Sequence, residues 1–268
     1  MKTPPILVSI LDLNQRVIDE MASKGLGVEL SGFAFPDVLA KGALEQNIKE
    51  AQAILKGFPY PVTMHGAFWD LRIAVREPMI REVARFRMNQ SLEIAYELGI
   101  QKVVFHPNYT SPYRDQKAKD YWIQRQIPFW EALQPAAEQY GITIYLENTT
   151  EPDASYIHEI LNQLDGRFFK TCLDTGHLNV FGGNKNVLDW VNMYKHQLGY
   201  VHLHSNFGAR DQHLAYTDGN ISFDGFFDAL SNINQEGSEA EHPWIIIEVK
   251  TREAYLESYE ALRKIYQF

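Results

Sequence analysis

The sequence predicts an α/β fold, a single (β/α)8 barrel. Eight short runs rich in Val, Ile, Leu, Phe and Tyr have strand length. Longer amphipathic stretches separate them, and repeated βα units imply parallel strands joined by crossovers. A chain of 268 residues holds the eight units without a long structureless linker, as a closed barrel requires. A doubly wound open sheet is the alternative for the same alternation. One domain spanning 1–268 is expected.

The strands are expected at Ile6–Leu11, Gly27–Leu30, Val62–His65, Lys102–His106, Thr143–Glu147, Phe169–Asp174, Tyr200–His204 and Trp244–Val249. Helical patterns cover 13–24, 37–56, 78–98, 118–140, 153–164, 185–196, 222–235 and 252–266. In the third, Ile80, Val83, Ala84, Met88, Leu92, Ala95 and Tyr96 repeat near three- and four-residue spacing. That stretch opens on Pro78, whose fixed φ suits a first turn, and stops at Gly99.

Composition narrows the function. Hydrophobic residues make up 45% and charged residues 22%, so a packed core is expected rather than a disordered, collagen-like or coiled-coil chain. Apolar runs such as Pro243–Ile247 are too short to span a membrane, and no secretory signal follows Met1. The lone Cys172 permits no internal disulfide and no cysteine-cluster metal site. A cytoplasmic enzyme is the expectation. The formal charge of −9 makes nucleic acid and anionic membranes poor default partners.

In such a barrel the chemistry sits at the C-terminal ends of the strands. Here strand 3 ends in His65, strand 4 in His106, strand 5 in Glu147 and strand 6 in Asp174 followed by His177. Strand 7 carries His202 and His204, its loop carries Asp211 and His213, and strand 8 ends in Glu248. Any one of these alone reads as a satisfied polar group. Together they converge, and burying unpaired carboxylates in one small space costs several kcal/mol each. A divalent cation satisfies them all, and mixed imidazole and carboxylate donors suit zinc, manganese, iron or cobalt. His202 is taken as the deeper ligand and His204 as a substrate contact. Glu29 and Asp12 read either as orienting groups or as rim and cap residues. His158, His196 and His242 read as surface or satisfied, and Cys172 as a small core residue.

This series of strand ends, from His65 to Glu248, resembles the xylose isomerase-like TIM barrel superfamily. That superfamily includes sugar and sugar-phosphate isomerases and epimerases and the endonuclease IV type of AP endonuclease (family 2). The resemblance implies a one-metal site of Glu147, Asp174, His202 and Glu248 for the isomerase branch. For the endonuclease branch it adds His65, His106, His177, Asp211 and His213 and implies three zinc ions, with Glu147 bridging two. The chain departs from the endonucleases at two places. Asn148–Asp153 is acidic where they carry glycines, and Val249-Lys250 follows Glu248 where they have Thr-Pro. The loop Ser31–Pro36 also has no basic residue to meet DNA.

Phe68, Trp69, Tyr109, Tyr113, Phe181 and Phe207 fall on loops around the mouth, and aromatic walls with a few polar groups suit small polar substrates. Trp69, Tyr109, His204 and Arg210 are the expected substrate contacts. Arg72, Arg114 and Lys185 are further candidates for an anion clamp. The leading expectation is a metal-dependent isomerase or epimerase acting on a sugar, sugar phosphate or related hydroxy-keto compound. It would work through an enediolate, with Glu147 and Glu248 as acid/base pair and one to three zinc or manganese ions. The alternative is a trinuclear-zinc phosphodiesterase that cleaves DNA at abasic sites. A non-catalytic binding barrel is a third possibility.

Overall fold

The computed structural model describes residues 3–111, 113–183, 185–233 and 242–267. Eight parallel strands close in chain order: β1 (Ile6–Ile10), β2 (Gly27–Leu30), β3 (Val62–His65), β4 (Lys102–Phe105), β5 (Thr143–Glu147), β6 (Phe169–Asp174), β7 (Leu198–Leu203) and β8 (Trp244–Ile247). The seam joins β1 to β8, with Leu7 opposite Ile246. Around them run α1 (Gln15–Lys24), α2 (Leu44–Leu55), α3 (Pro78–Glu97), α4 (Gln116–Glu131), α5 (Gln134–Tyr140), α6 (Ser155–Leu161), α7 (Thr175–Phe181), α8 (Val187–Tyr194), α9 (Phe226–Asn232) and α10 (Arg252–Tyr266).

Two-residue alternation sorts each strand into two faces. Ile144, Leu146, Leu173, Val201, Leu203, Ile245 and Ile247 belong to the main core, with Ile94, Trp130, Ile157 and Trp190 from the helices. Each such side chain contributes about 1.5–3 kcal/mol by leaving water. The other face fills the barrel. Leu7, Val104, Tyr145, Cys172, Tyr200 and Ile246 form a separate interior cluster. Two residues further along four of these strands come His106, Glu147, Asp174 and His202, and Glu248 follows Ile246 at the same spacing. The plug beneath and the chemistry above are therefore set by one periodicity.

Four expectations need correction. The stretch 118–140 is two helices, because Pro135 lacks an N–H and sits in the first turn of α5, where that loss costs least. Residues 37–43 do not join α2, and Gly42 lies at φ 107° in a turn before it. The helix α7, directly after β6, has no counterpart in the predicted pattern. Strand β7 starts two residues earlier than expected, at Leu198, beside a register shift at Thr171/Cys172 of β6. Residues 234–235, the expected end of the penultimate helix, lie outside the described residues. No helix among the described residues is long and apolar enough to cross a membrane.

Candidate metal centre

Glu147 lies at the middle of the cluster and is buried. Its Oε2 is 3.2 Å from His65 Nε2, 3.2 Å from His106 Nε2 and 3.2 Å from His202 Nδ1. Its Oε1 is 3.2 Å from His177 Nδ1. Glu248 Oε2 reaches the same His202 Nδ1 at 3.2 Å, and Asp174 Oδ2 stands 4.0 Å from it. Asp211 Oδ2 is 2.6 Å from His213 Nε2 and 3.6 Å from His177 Nε2. All nine expected donors thus meet at one end of the barrel.

Local structure explains how each arrives. His65 Nδ1 lies 2.9 Å from the Gly66 carbonyl, so an N–H there leaves Nε2 for the cluster. Gly66 must lack a side chain, since a Cβ would stand 2.1 Å from the Phe105 ring. Asp174 caps α7, its Oδ1 accepting from the His177 backbone N–H at 2.6 Å. That cap turns His177 back over the barrel, which accounts for the Asp-x-x-His spacing. Gly176 between them gives room to His204, whose Cε1 would be 2.0 Å from a Cβ. Asp211 and His213 return because Ser205 and Leu214 pair as an antiparallel bridge, folding the loop back on itself. His213 Nδ1 then lies 3.0 Å from the Glu248 carbonyl, tying this loop to the end of β8.

The donor set fits divalent cations. His202 Nδ1, Glu248 Oε2, His204 Nδ1 and Asp211 Oδ1 are buried without a hydrogen-bond partner, in a cluster where such orphans are costly. In each of three triads the donor atoms lie within 4.8 Å of one another: His65 with His106 and Glu147, Glu147 with Asp174 and His177, and His177 with Asp211 and His213. Donors around a tetrahedral ion at about 2.1 Å stand some 3.4 Å apart, close to these separations. Imidazolium charge fills the same role electrostatically. Burial lowers the His177 pKa, but Asp174, Asp211 and Glu147 outweigh it and hold it well above the ordinary value. Burial also lowers His213, yet Asp211 and Glu248 lift it to about 9. Burial would raise Glu147 and Glu248, but the neighbouring imidazoles hold both below the usual carboxylate range.

The expected substrate contacts divide. Trp69 is half-exposed at 47% and stacks on Phe68, which leans on His106 with ring centroids 4.3 Å apart. Arg210 is exposed on the returning loop. Tyr109 is 2% exposed and packs edge-on against Trp122 and Tyr156, with its hydroxyl donating to the Tyr113 carbonyl. It stands in the wall behind the mouth rather than on it. His204 is fully buried, stacked on His213 at 4.0 Å, with Nε2 3.0 Å from Asp174 Oδ2. It sits within the donor cluster itself. Two further residues lie against the cluster. Cys172 groups with Glu147 and His202 within 4.8 Å, so the thiol lies directly under the cluster. Glu29 is fully buried and lies 3.2 Å from His202 Nε2, a contact that only the closed barrel makes. Asp12 is exposed and accepts from Asn14.

A closed parallel barrel with this ring of donors at its strand ends defines a class, and the chain belongs to it: the xylose isomerase-like TIM barrel family, matched over residues 20–265. An uncharacterised protein of Methanocaldococcus jannaschii is 26% identical over 200 residues, covering 72% of this chain and 67% of the relative. The probable endonuclease 4 of Aquifex aeolicus is 23% identical over 267 residues, covering 91% and 92%. Among solved structures, a D-tagatose 3-epimerase-like protein shares the fold with a TM-score of 0.80 and 23% identity over 98% of both chains.

Proposed function

We propose that the protein is a metal-dependent isomerase or epimerase acting on a sugar, sugar phosphate or related hydroxy-keto compound. The observation that carries this reading is the placement of Glu147 and Glu248, each 3.2 Å from His202 Nδ1, with Asp174 alongside. Residues at the ends of four strands thus bring three carboxylates to one imidazole nitrogen. A cation held there supplies Lewis acidity to the carbonyl and the neighbouring hydroxyl of the substrate. Neighbouring imidazoles hold both carboxyls below the usual carboxylate range, and the one that is deprotonated when substrate binds takes the proton from the carbon beside the carbonyl. The other has to enter the cycle carrying a proton drawn from solvent, which it gives to the opposite face of the enediolate while the first keeps the one it removed. Glu248 is the more accessible, with 20% of its side chain exposed against 1% for Glu147. The likeness to a D-tagatose 3-epimerase-like protein supports this reading.

The test is solvent exchange. Keto-sugars and their phosphates, incubated with manganese-loaded protein in D2O, are expected to gain deuterium at the carbon beside the carbonyl. Glu147→Gln and Glu248→Gln should each slow that exchange by about 10²-fold or more. Unchanged exchange in either variant defeats its assigned role.

A second reading, a trinuclear-zinc phosphodiesterase acting at abasic sites, is favoured by the two outer triads, which a one-ion isomerase does not need. The acidic loop argues against it less than its sequence suggests. Glu151 is buried and accepts from the Tyr109 and Thr149 backbone N–H groups, and Asp153 accepts from Ser155. Those charges are turned into the loop. Duplex DNA with one abasic site, at enzyme excess and with zinc, is expected to stay intact. Nicking there, lost in His65→Ala, would establish the hydrolase instead.

A further inference from the structure

We infer that Glu29 is a positioning residue for the cation cluster, fixing the ring and tautomer of His202 from beneath. The inference rests on the proposal that these donors bind a divalent ion.

His202 has two ring nitrogens with different surroundings. Nδ1 faces Glu147 and Glu248 at 3.2 Å each. Nε2 faces Glu29, whose Oε1 and Oε2 are both 3.2 Å away. An imidazole that donates its Nε2–H to a carboxylate carries its lone pair on Nδ1, the atom that meets the cluster. Glu29 is itself held in place. The Tyr200 hydroxyl donates to its Oε2 at 2.9 Å, and that hydroxyl is also hydrogen-bonded to the Thr63 side chain. The Tyr200 ring lies edge-on to His202 with centroids 5.7 Å apart, so the imidazole cannot drop into the barrel. Glu29, Thr63, Tyr200 and His202 are all fully buried. A carboxylate at that depth is expensive, and Glu29 Oε1 has no hydrogen-bond partner. Packing alone would be served better by an apolar residue. The arrangement is accounted for if the charge of Glu29 makes His202 a stronger donor.

The test uses the full chain stripped of metal, titrated with Co2+ against a competing chelator and followed by the visible absorption of bound Co2+. In Glu29→Ala the tightest Co2+ dissociation constant is expected to rise 10- to 100-fold, the range for lost outer partners of a ligand histidine. Glu29→Gln keeps an acceptor for the Nε2–H and should lose less, roughly tenfold. Melting temperatures in chelator should match or exceed that of the unaltered chain. Unchanged Co2+ affinity in Glu29→Ala overturns the inference, as does an affinity loss paralleled by an equal fall of the melting temperature in chelator. If Glu29→Ala does not fold, the Gln variant decides, and full affinity there overturns it. His202→Ala separates the two claims. If it loses affinity while Glu29→Ala keeps it, only the role of Glu29 fails; if His202→Ala also binds Co2+ fully, the cation reading fails.

Discussion

Glu151 shows what a single residue can hide from its sequence. It adds to the negative count of the loop after β5, yet it is 1% exposed and closes that loop onto the Tyr109 backbone. Burial pushes its pKa up, and the backbone N–H groups of Thr149 and Tyr109 only partly oppose this. A carboxyl whose folded pKa lies above its unfolded value binds its proton more tightly when folded. Its contribution is most favourable at low pH and is lost as pH rises through the folded pKa. Stability of the unaltered chain relative to Glu151→Gln should therefore decline as pH climbs above about 4.5, the ordinary glutamate value. Urea titrations of both proteins at several pH values between 4 and 7 check this, and a parallel pair of stability curves contradicts it. The same blindness explains why Glu29 was open in the sequence and why Tyr109, expected as a substrate contact, stands in the wall behind the mouth. Burial, hydrogen-bond partners and whether a loop side chain faces in or out depend on tertiary contacts, which residue type does not encode. His65, His106, Glu147, Asp174, His202 and Glu248 were legible because their positions follow from strand alternation and a strand's end, whereas His177, Asp211 and His213 lie beyond the strands and were named through short spacings and the family resemblance.

At the scale of elements, what was readable was whatever local periodicity dictates. The third helical stretch was legible from its apolar spacing, its Pro78 start and its Gly99 stop, and α3 runs Pro78–Glu97. Gly99, at φ 71°, adopts the left-handed conformation that suits glycine. The seven residues of α7 are too few for a 3.6-residue period to declare itself, and Gly176 inside them speaks against helix. Tertiary contact overrides that propensity: Asp174 caps the turn, and Asn148 exchanges two hydrogen bonds with the Asp174 backbone, at 2.8 and 2.9 Å. The return of Asp211 and His213 was beyond reach for a related reason. It depends on one isolated bridge and on His213 at φ 52°, a conformation rare outside glycine.

The whole molecule carries a formal charge of −9, and Glu29, Glu147, Asp174, Asp211 and Glu248 stand together at one end of the barrel. Imidazolium protons can balance them in part, but a cation replaces those protons without surrendering the charge as pH rises. Ion binding is therefore coupled to the stability of the entire fold. An ion present at 1,000 times its dissociation constant adds about 4 kcal/mol. For a chain of this size that is a rise in melting temperature of roughly 8 °C. Chelator-treated protein should melt lower by that order and recover when zinc or manganese is restored. Elemental analysis of the same untagged samples then divides the two functional readings. About one ion per chain fits the isomerase, because only the Glu147, Asp174, His202 and Glu248 ring need be filled. Two or three zinc ions would mean that the His65–His106 and His177–Asp211–His213 donors are ligands in their own right, and the balance would shift to phosphodiester hydrolysis. Protein that retains no ion and melts identically with and without chelator would leave the buried carboxylates unexplained and would remove the basis of both.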